Sequence, residues 1–167
     1  MSRWKSILKA DTIDWLLEGD NPSIRYWTLK DLLDKRETEP EVAEAKGKIC
    51  ESKEVKMIFS KSGINGGPFW SKPNGNIYLG TFSTGSVLMF LAETGLTKGD
   101  PKIADLAKFL FRYQSAEGFF KLSPEGPGWW SCFTATVLGA LLRFGYANDE
   151  TVEKGLEWLF STQRLDG

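Results

Sequence analysis

Apolar residues along this chain recur at intervals of three and four, not two. Ile103, Leu106 and Leu110 form one such stripe, and Val152, Leu156 and Leu159 form another. That spacing gathers side chains on one face of an α-helix. No stretch alternates long enough to suggest a half-buried strand. Upstream, DTIDWLLEG, NPSIRYWTLKDLLDK and EPEVAEAKGKIC predict three further helices, with Asn21 or Ser23 as the cap of the second and Pro40 opening the third. The whole chain reads as about seven or eight helices. Residues 63–82, GINGGPFWSKPNGNIYLGTF, break the pattern with Gly-Gly, Lys-Pro-Asn-Gly and Leu-Gly turns.

The stripes belong to a repeat. DPKIADLAKFLFRYQSAEG (100–118) lies over DETVEKGLEWLFSTQRLDG (149–167) at a constant spacing of 49 residues. Asp100 meets Asp149, Phe109-Leu110-Phe111 meets Trp158-Leu159-Phe160, Gln114 meets Gln163 and Gly118 meets Gly167. TGSVLMFLAETG (84–95) lies over TATVLGALLRFG (134–145) at a spacing of 50, so the turn between helices is one residue shorter in the second copy. Each unit predicts a helix, a turn at Gly95 or Gly145, an aspartate cap and a second helix. A worn earlier copy, VKMIFSKSGINGG, places Ile58 on Leu110, Phe59 on Phe111 and Gly66 on Gly118, with Ser62 where glutamine stands. Units that hide their apolar faces only against one another build solenoids.

Lys154-Gly155, Trp158-Leu159, Gln163 and Gly167 make one patterned string, and Phe109-Leu110, Gln114 and Gly118-Phe119-Phe120 make a second. Together they resemble the glutamine–tryptophan repeat of the terpenoid-cyclase and protein-prenyltransferase superfamily (the prenyltransferase and squalene oxidase repeat). The resemblance covers residues 84–167. Phe120 stands where the family prefers tryptophan, and Ile103-Ala104-Asp105 lacks the basic–small opening. The resemblance implies an all-α fold whose helix-pair repeats form an incomplete α/α toroid or curved solenoid. It implies one domain over 1–167: divergent N-terminal helices at 1–62, a Gly/Pro-rich loop at 63–82, and two repeat units at 83–167, the last cut short. A closed ring of the family takes more helix pairs than are read here. The open final helix is therefore expected to favour self-association or fraying, or to need a partner. Gln114 and Gln163 are expected to bond with carbonyls at their own helix ends and with amides of the adjacent unit.

Composition narrows the function classes. With 21 basic and 22 acidic side chains, the net charge of −1 argues against broad capture of nucleic acid. Two cysteines cannot form a disulfide framework and fit free thiols in a reducing, cytoplasmic setting. No apolar run is long enough to span a membrane. Histidine is absent, which removes the commonest proton carrier near neutral pH and the commonest zinc ligand.

The family's catalytic groups do not carry over. The Asp-x-Asp-Asp acid of squalene-type cyclases and the Asp-Asp-x-x-Asp of other terpene synthases are missing, and the prenyltransferase zinc site needs histidine. Asp149-Glu150 reads as a cap, Asp11 and Asp14 as solvated helix charges, and Cys132 as a core residue. Arg112, Arg143 and Lys154 are basic residues available to a diphosphate, with ordinary surface charge as the simpler reading. Ser83, Thr84, Ser131 and Thr134 are expected to cap the outgoing helices. No cofactor or metal is implied.

What remains is aromatic. Trp70, Tyr78, Phe82, Trp129, Trp130 and Phe133 stand at loop ends and helix starts. In a toroid those places line the central cavity; the alternative is that the rings seal gaps in the core. Two readings follow. One is a noncatalytic helical-repeat binding or scaffold module, with a protein as partner. The other is a terpenoid-cyclase- or prenyltransferase-like protein that binds or transforms an isoprenoid-like apolar ligand in an aromatic-lined cavity. A third class, polysaccharide processing, would need two of Glu117, Glu125, Asp149 and Asp166 paired across a cleft.

Overall fold

The computed structural model describes residues 10, 12–73, 77, 82–123 and 130–164. All regular structure among them is helical: α1 (Ile13–Leu16), α2 (Pro22–Trp27), α3 (Pro40–Lys48), α4 (Lys53–Ser60), α5 (Thr84–Glu93), α6 (Pro101–Phe111), α7 (Ser131–Arg143) and α8 (Glu150–Ser161). The β feature described is an isolated antiparallel bridge between Gln114 and Phe120. Among the described residues no helix is long and apolar enough to cross a membrane. The chain divides into two compact units, residues 1–52 and 53–167.

In the first unit Asn21 caps α2, its side chain accepting from the Ile24 amide at 3.1 Å, and Pro22 fills N1. The helix then widens over Thr28–Leu32 into a π turn, closed by Leu33 N–H donating to the Thr28 carbonyl at 3.0 Å. Pro40 opens α3. α2 packs on α3, burying Tyr26, Val42 and Ala45. Tyr26 keeps its hydroxyl satisfied by donating to Glu37 at 2.5 Å. Lys30 and Lys46 hold the same carboxylate at 2.9 and 3.2 Å. Burial pushes the Glu37 pKa up, but the Tyr26, Lys30 and Lys46 hydrogen bonds outweigh it and lower it to about 2.

The second unit carries the repeat. α6 and α8 begin alike: Asp100 and Asp149 are both extended N-cap residues, with φ/ψ of −82°/122° and −95°/131°. Asp149 caps as expected, accepting from the Thr151 amide at 2.9 Å. Asp100 does not; its carboxylate turns back to accept from the Thr97 amide at 2.9 Å, tying down the longer preceding turn. Gly95 and Gly145 end the preceding helices at φ 92° and 93°. The worn copy matches as well: Ile58 and Leu110 are buried, and Gly66 and Gly118 both take positive φ. Beyond those glycines Trp70 and Phe120 are both fully buried, although two residues out of step with that alignment.

α5 packs on α7, and α7 on α8. Burial of Leu88, Leu91, Leu106, Leu110, Val137 and Leu141 contributes roughly 1.5–3 kcal/mol per side chain before conformational entropy is charged against it. Of the four expected hydroxyl caps only Ser83 acts as one, in a reciprocal box with Ser86. Trp130 is the N-cap residue of α7. Thr84 and Thr134 lie fully buried one residue or more inside their helices. There Thr134 Oγ1 accepts from the Phe120 amide at 3.0 Å, and Thr84 shares a 2.5 Å hydrogen bond with Ser71. Each threonine thus anchors the chain arriving from the preceding turn.

Gln114 ties one unit to the next. Its Nε2 donates to the Gly118 carbonyl at 3.0 Å and to the Thr151 carbonyl, in the first turn of α8, at 2.6 Å. The expected partner across the units was an amide; the amide group of Gln114 reaches a carbonyl instead, because a glutamine NH2 has two donors and α8 presents backbone oxygen on that side. Two glycines make the approach possible. At Gly118 (φ +115°) a Cβ would stand 2.6 Å from the Lys154 carbonyl oxygen, and at Gly155 one would stand 2.7 Å from Leu138 Cδ2.

Two outcomes are expected from this packing. Gly118→Ala is expected to lose about 2–4 kcal/mol in urea denaturation, because strain and a backbone clash coincide, while Gln114→Ala loses about 1–2 kcal/mol. Near-neutral results for both would contradict the account. In the first unit, Glu37→Gln is expected to cost about 1 kcal/mol at pH 7, the scale for half-exposed, screened pairs. Since the folded pKa lies below the ordinary 4.5, the difference from wild type is full above pH 4.5 and fades as pH falls toward about 2. A difference unchanged at pH 2 contradicts that assignment.

Candidate apolar ligand site

A chain of rings runs through the second unit. Phe59 and Trp70 lie 5.5 Å apart, Trp70 and Phe69 5.7 Å, Phe69 and Phe109 5.2 Å, and Phe109 and Tyr113 4.9 Å. All four pairs are tilted, the arrangement that ring quadrupoles favour over face-to-face stacking. The cluster is partly buried: Trp70 is sealed, with its indole N–H donating to the Ile58 carbonyl at 2.9 Å, whereas Phe59 and Phe69 are half-buried.

The aromatic candidates divide. Trp70 and Phe133 are fully buried. Phe82 and Trp130 are exposed by 38% and 44%, enough to meet a ligand. Asn65 brings two of the six together, its Nδ2 donating to the Trp70 carbonyl at 2.5 Å and to the Phe82 carbonyl at 3.4 Å. Lys61 lies 4.4 Å from the Phe82 ring centroid. Tyr78 and Trp129 lie outside the described residues, as do Asp11, Glu125, Asp166 and Gly167.

The structure adds apolar residues that the sequence reading passed over. On α5, Ser86, Met89, Phe90 and Glu93 face outward; on α7, Cys132, Ala135, Leu142 and Arg143 do so. Met89 is 56% exposed and Phe90 47%. Arg143 Nη1 meets Glu93 Oε1 at 2.8 Å. α5 packs on α7, and that ion pair joins the C-terminal ends of their outward stripes, a shelf that carries Met89 and Phe90 from α5 and Leu142 from α7. The signal was available. Val87-Leu88-Met89-Phe90-Leu91-Ala92 is six consecutive apolar residues, which cannot all face one side of a helix. In the first unit, Trp15, Leu16, Glu18, Asp20, Asn21 and Ile24 line a separate open cleft of about 250 Å³.

Cys132 is not a core residue. It is exposed on the α7 stripe, because the helix begins at Ser131 and turns it outward. Cys50 is half-buried. Of the three basic candidates, Arg143 is drawn to Glu93 on the shelf, while Arg112 lies 5.7 Å from the Phe109 ring centroid and Lys154 is exposed on α8. Glu117 has its pKa lowered by hydrogen bonds from its own backbone amide and from Ser115, which favour the ionised carboxylate. Among the described residues no group of three Cys, Asp or Glu side chains could hold a metal ion.

No protein-family model, no curated protein and no solved structure matches this chain.

The shelf makes Cys132 a reporter. In native protein it is expected to react with a bulky thiol reagent at least about tenfold faster than Cys50. Equal rates for the two, measured by peptide mapping, would contradict this placement.

Proposed function

We propose that this protein binds an isoprenoid-like apolar ligand on the aromatic and aliphatic surface of residues 53–167, as an incomplete α/α toroid of the terpenoid-cyclase and prenyltransferase repeat type. The observation that carries the reading is the shelf on α5 and α7, where Met89, Phe90 and Leu142 stand exposed on adjoining helix faces. Large apolar side chains grouped on a surface mark binding sites more often than scattered ones do. Phe82 and Trp130, at the starts of the same two helices, add ring faces to which an unsaturated chain can pack. The sequence leans toward a noncatalytic binding or scaffold module; the partly buried aromatic cluster favours the ligand reading. The repeat equivalences support the toroid comparison: aspartates of like extended conformation before α6 and α8, matched positive-φ glycines and a glutamine tie between units.

Farnesol and farnesyl diphosphate are suitable probes. Both are expected to bind saturably and to slow alkylation of Cys132, with Phe90→Ala weakening binding by about tenfold through lost apolar burial. Diphosphate improving affinity over the alcohol would add Arg143 to the site. The reading fails if neither probe saturates, or if binding is indifferent to Phe90→Ala and leaves Cys132 reactivity unchanged.

A further inference from the structure

The two copies of the second helix differ in burial at matched positions. Phe109, Leu110 and Tyr113 are buried, while their counterparts Trp158 and Leu159 are half-buried and Thr162 is exposed. Phe111 is half-buried, while Phe160 is 68% exposed. Gln114 is half-buried in its tie; Gln163 is exposed. The first copy shows what covers these positions. Tyr146, the residue after the turn glycine of the next unit, meets the Phe111 ring edge-on at 5.6 Å. The first turn of α8 accepts the Gln114 amide at Thr151, and Gly155, six residues after the Asp149 cap, leaves room for the Gln114–Gly118 turn.

We propose that the exposed face of α8, centred on Leu159, Phe160 and Gln163, is an interface for a further helix pair of this same repeat. The repeat defines its chemistry. The arriving pair places an apolar or aromatic residue after its turn glycine against Phe160. Its second helix offers a first-turn carbonyl to Gln163 and a glycine six residues past its N-cap. No helix pair of a second copy of this chain supplies all three at once. Its α8 has Gly155 already filled by its own Gln114, and α6 carries Leu106 at that place. The occupant is therefore an additional unit, not a symmetric mate.

The test extends the 167-residue chain with a second copy of residues 119–167. Docking of the added unit is expected to raise the melting temperature by about 5 °C. It should also protect the Ser161 and Thr162 amides from hydrogen exchange by about tenfold or more. Gln163→Ala should lower the melting point of the extended chain and leave that of the 167-residue chain unchanged. Leucine in place of the added unit's equivalent of Gly155 should abolish the gain. An added unit that melts separately, or last-turn amides that gain no protection, overturns the proposal. So does sedimentation of the 167-residue chain as a dimer with those amides already protected, which would make a second copy the occupant.

Discussion

The second unit depends on a side-chain amide that serves two carbonyls at once. The C-terminal end of a helix leaves backbone oxygens without intrahelical partners, and the turn that follows, pressed against another helix, is hidden from water. Gln114 serves that turn from one NH2 group, donating to the Gly118 carbonyl, and with the same group reaches the Thr151 carbonyl in the first turn of α8. The geometry works only because neither contact surface has a side chain in the way. Gly118 lies over the Lys154 backbone, and Gly155 lies beneath the glutamine. A longer residue at either place would push the turn out by more than a hydrogen bond tolerates. The tie therefore fixes distance and register together, leaving α7 and α8 to bury their apolar stripes.

That anchoring has a consequence for the opposite side of the unit. With α6 and α8 linked through glutamine and glycine, α5 and α7 pack against each other and carry two apolar faces each. The inner faces fill with Leu88, Leu91, Val137 and Leu141; the outer ones carry Met89, Phe90 and Leu142, closed at one end by the Glu93–Arg143 pair. A helix apolar on both faces is costly in water unless something covers it. The ligand reading rests on this surplus.

Much of the fold was legible because it repeats. The spacing of 49 residues predicted matched caps and matched helices, and the one-residue difference in the turns is present: α5 ends at Glu93 before an Asp100 cap, α7 at Arg143 before an Asp149 cap. Partners were harder to read than positions. An aspartate before a helix signals a cap, yet Asp100 turns to Thr97, since a longer turn brings that amide within reach. Thr84 and Thr134 looked like caps because they open apolar runs, but burial gives them anchoring bonds instead. Cys132 adjoins an apolar run and so reads as core, but one residue into α7 it falls on the exposed stripe with Ala135 and Leu142. The shelf is hard to read in sequence because Met89 and Phe90 lie within the unbroken apolar run Val87–Ala92, where periodicity alone does not separate the buried face from the exposed one.

The central claim, that Gln114 binds two backbone carbonyls across the unit boundary, is tested most directly by NMR of its side-chain amide. The account predicts slowed exchange of both NH2 protons of Gln114, with nuclear Overhauser contacts to the α-protons of Gly155. The exposed Gln163 amide should exchange as fast as a free glutamine. Equal, fast exchange of the two glutamines and no contact with Gly155 would contradict it.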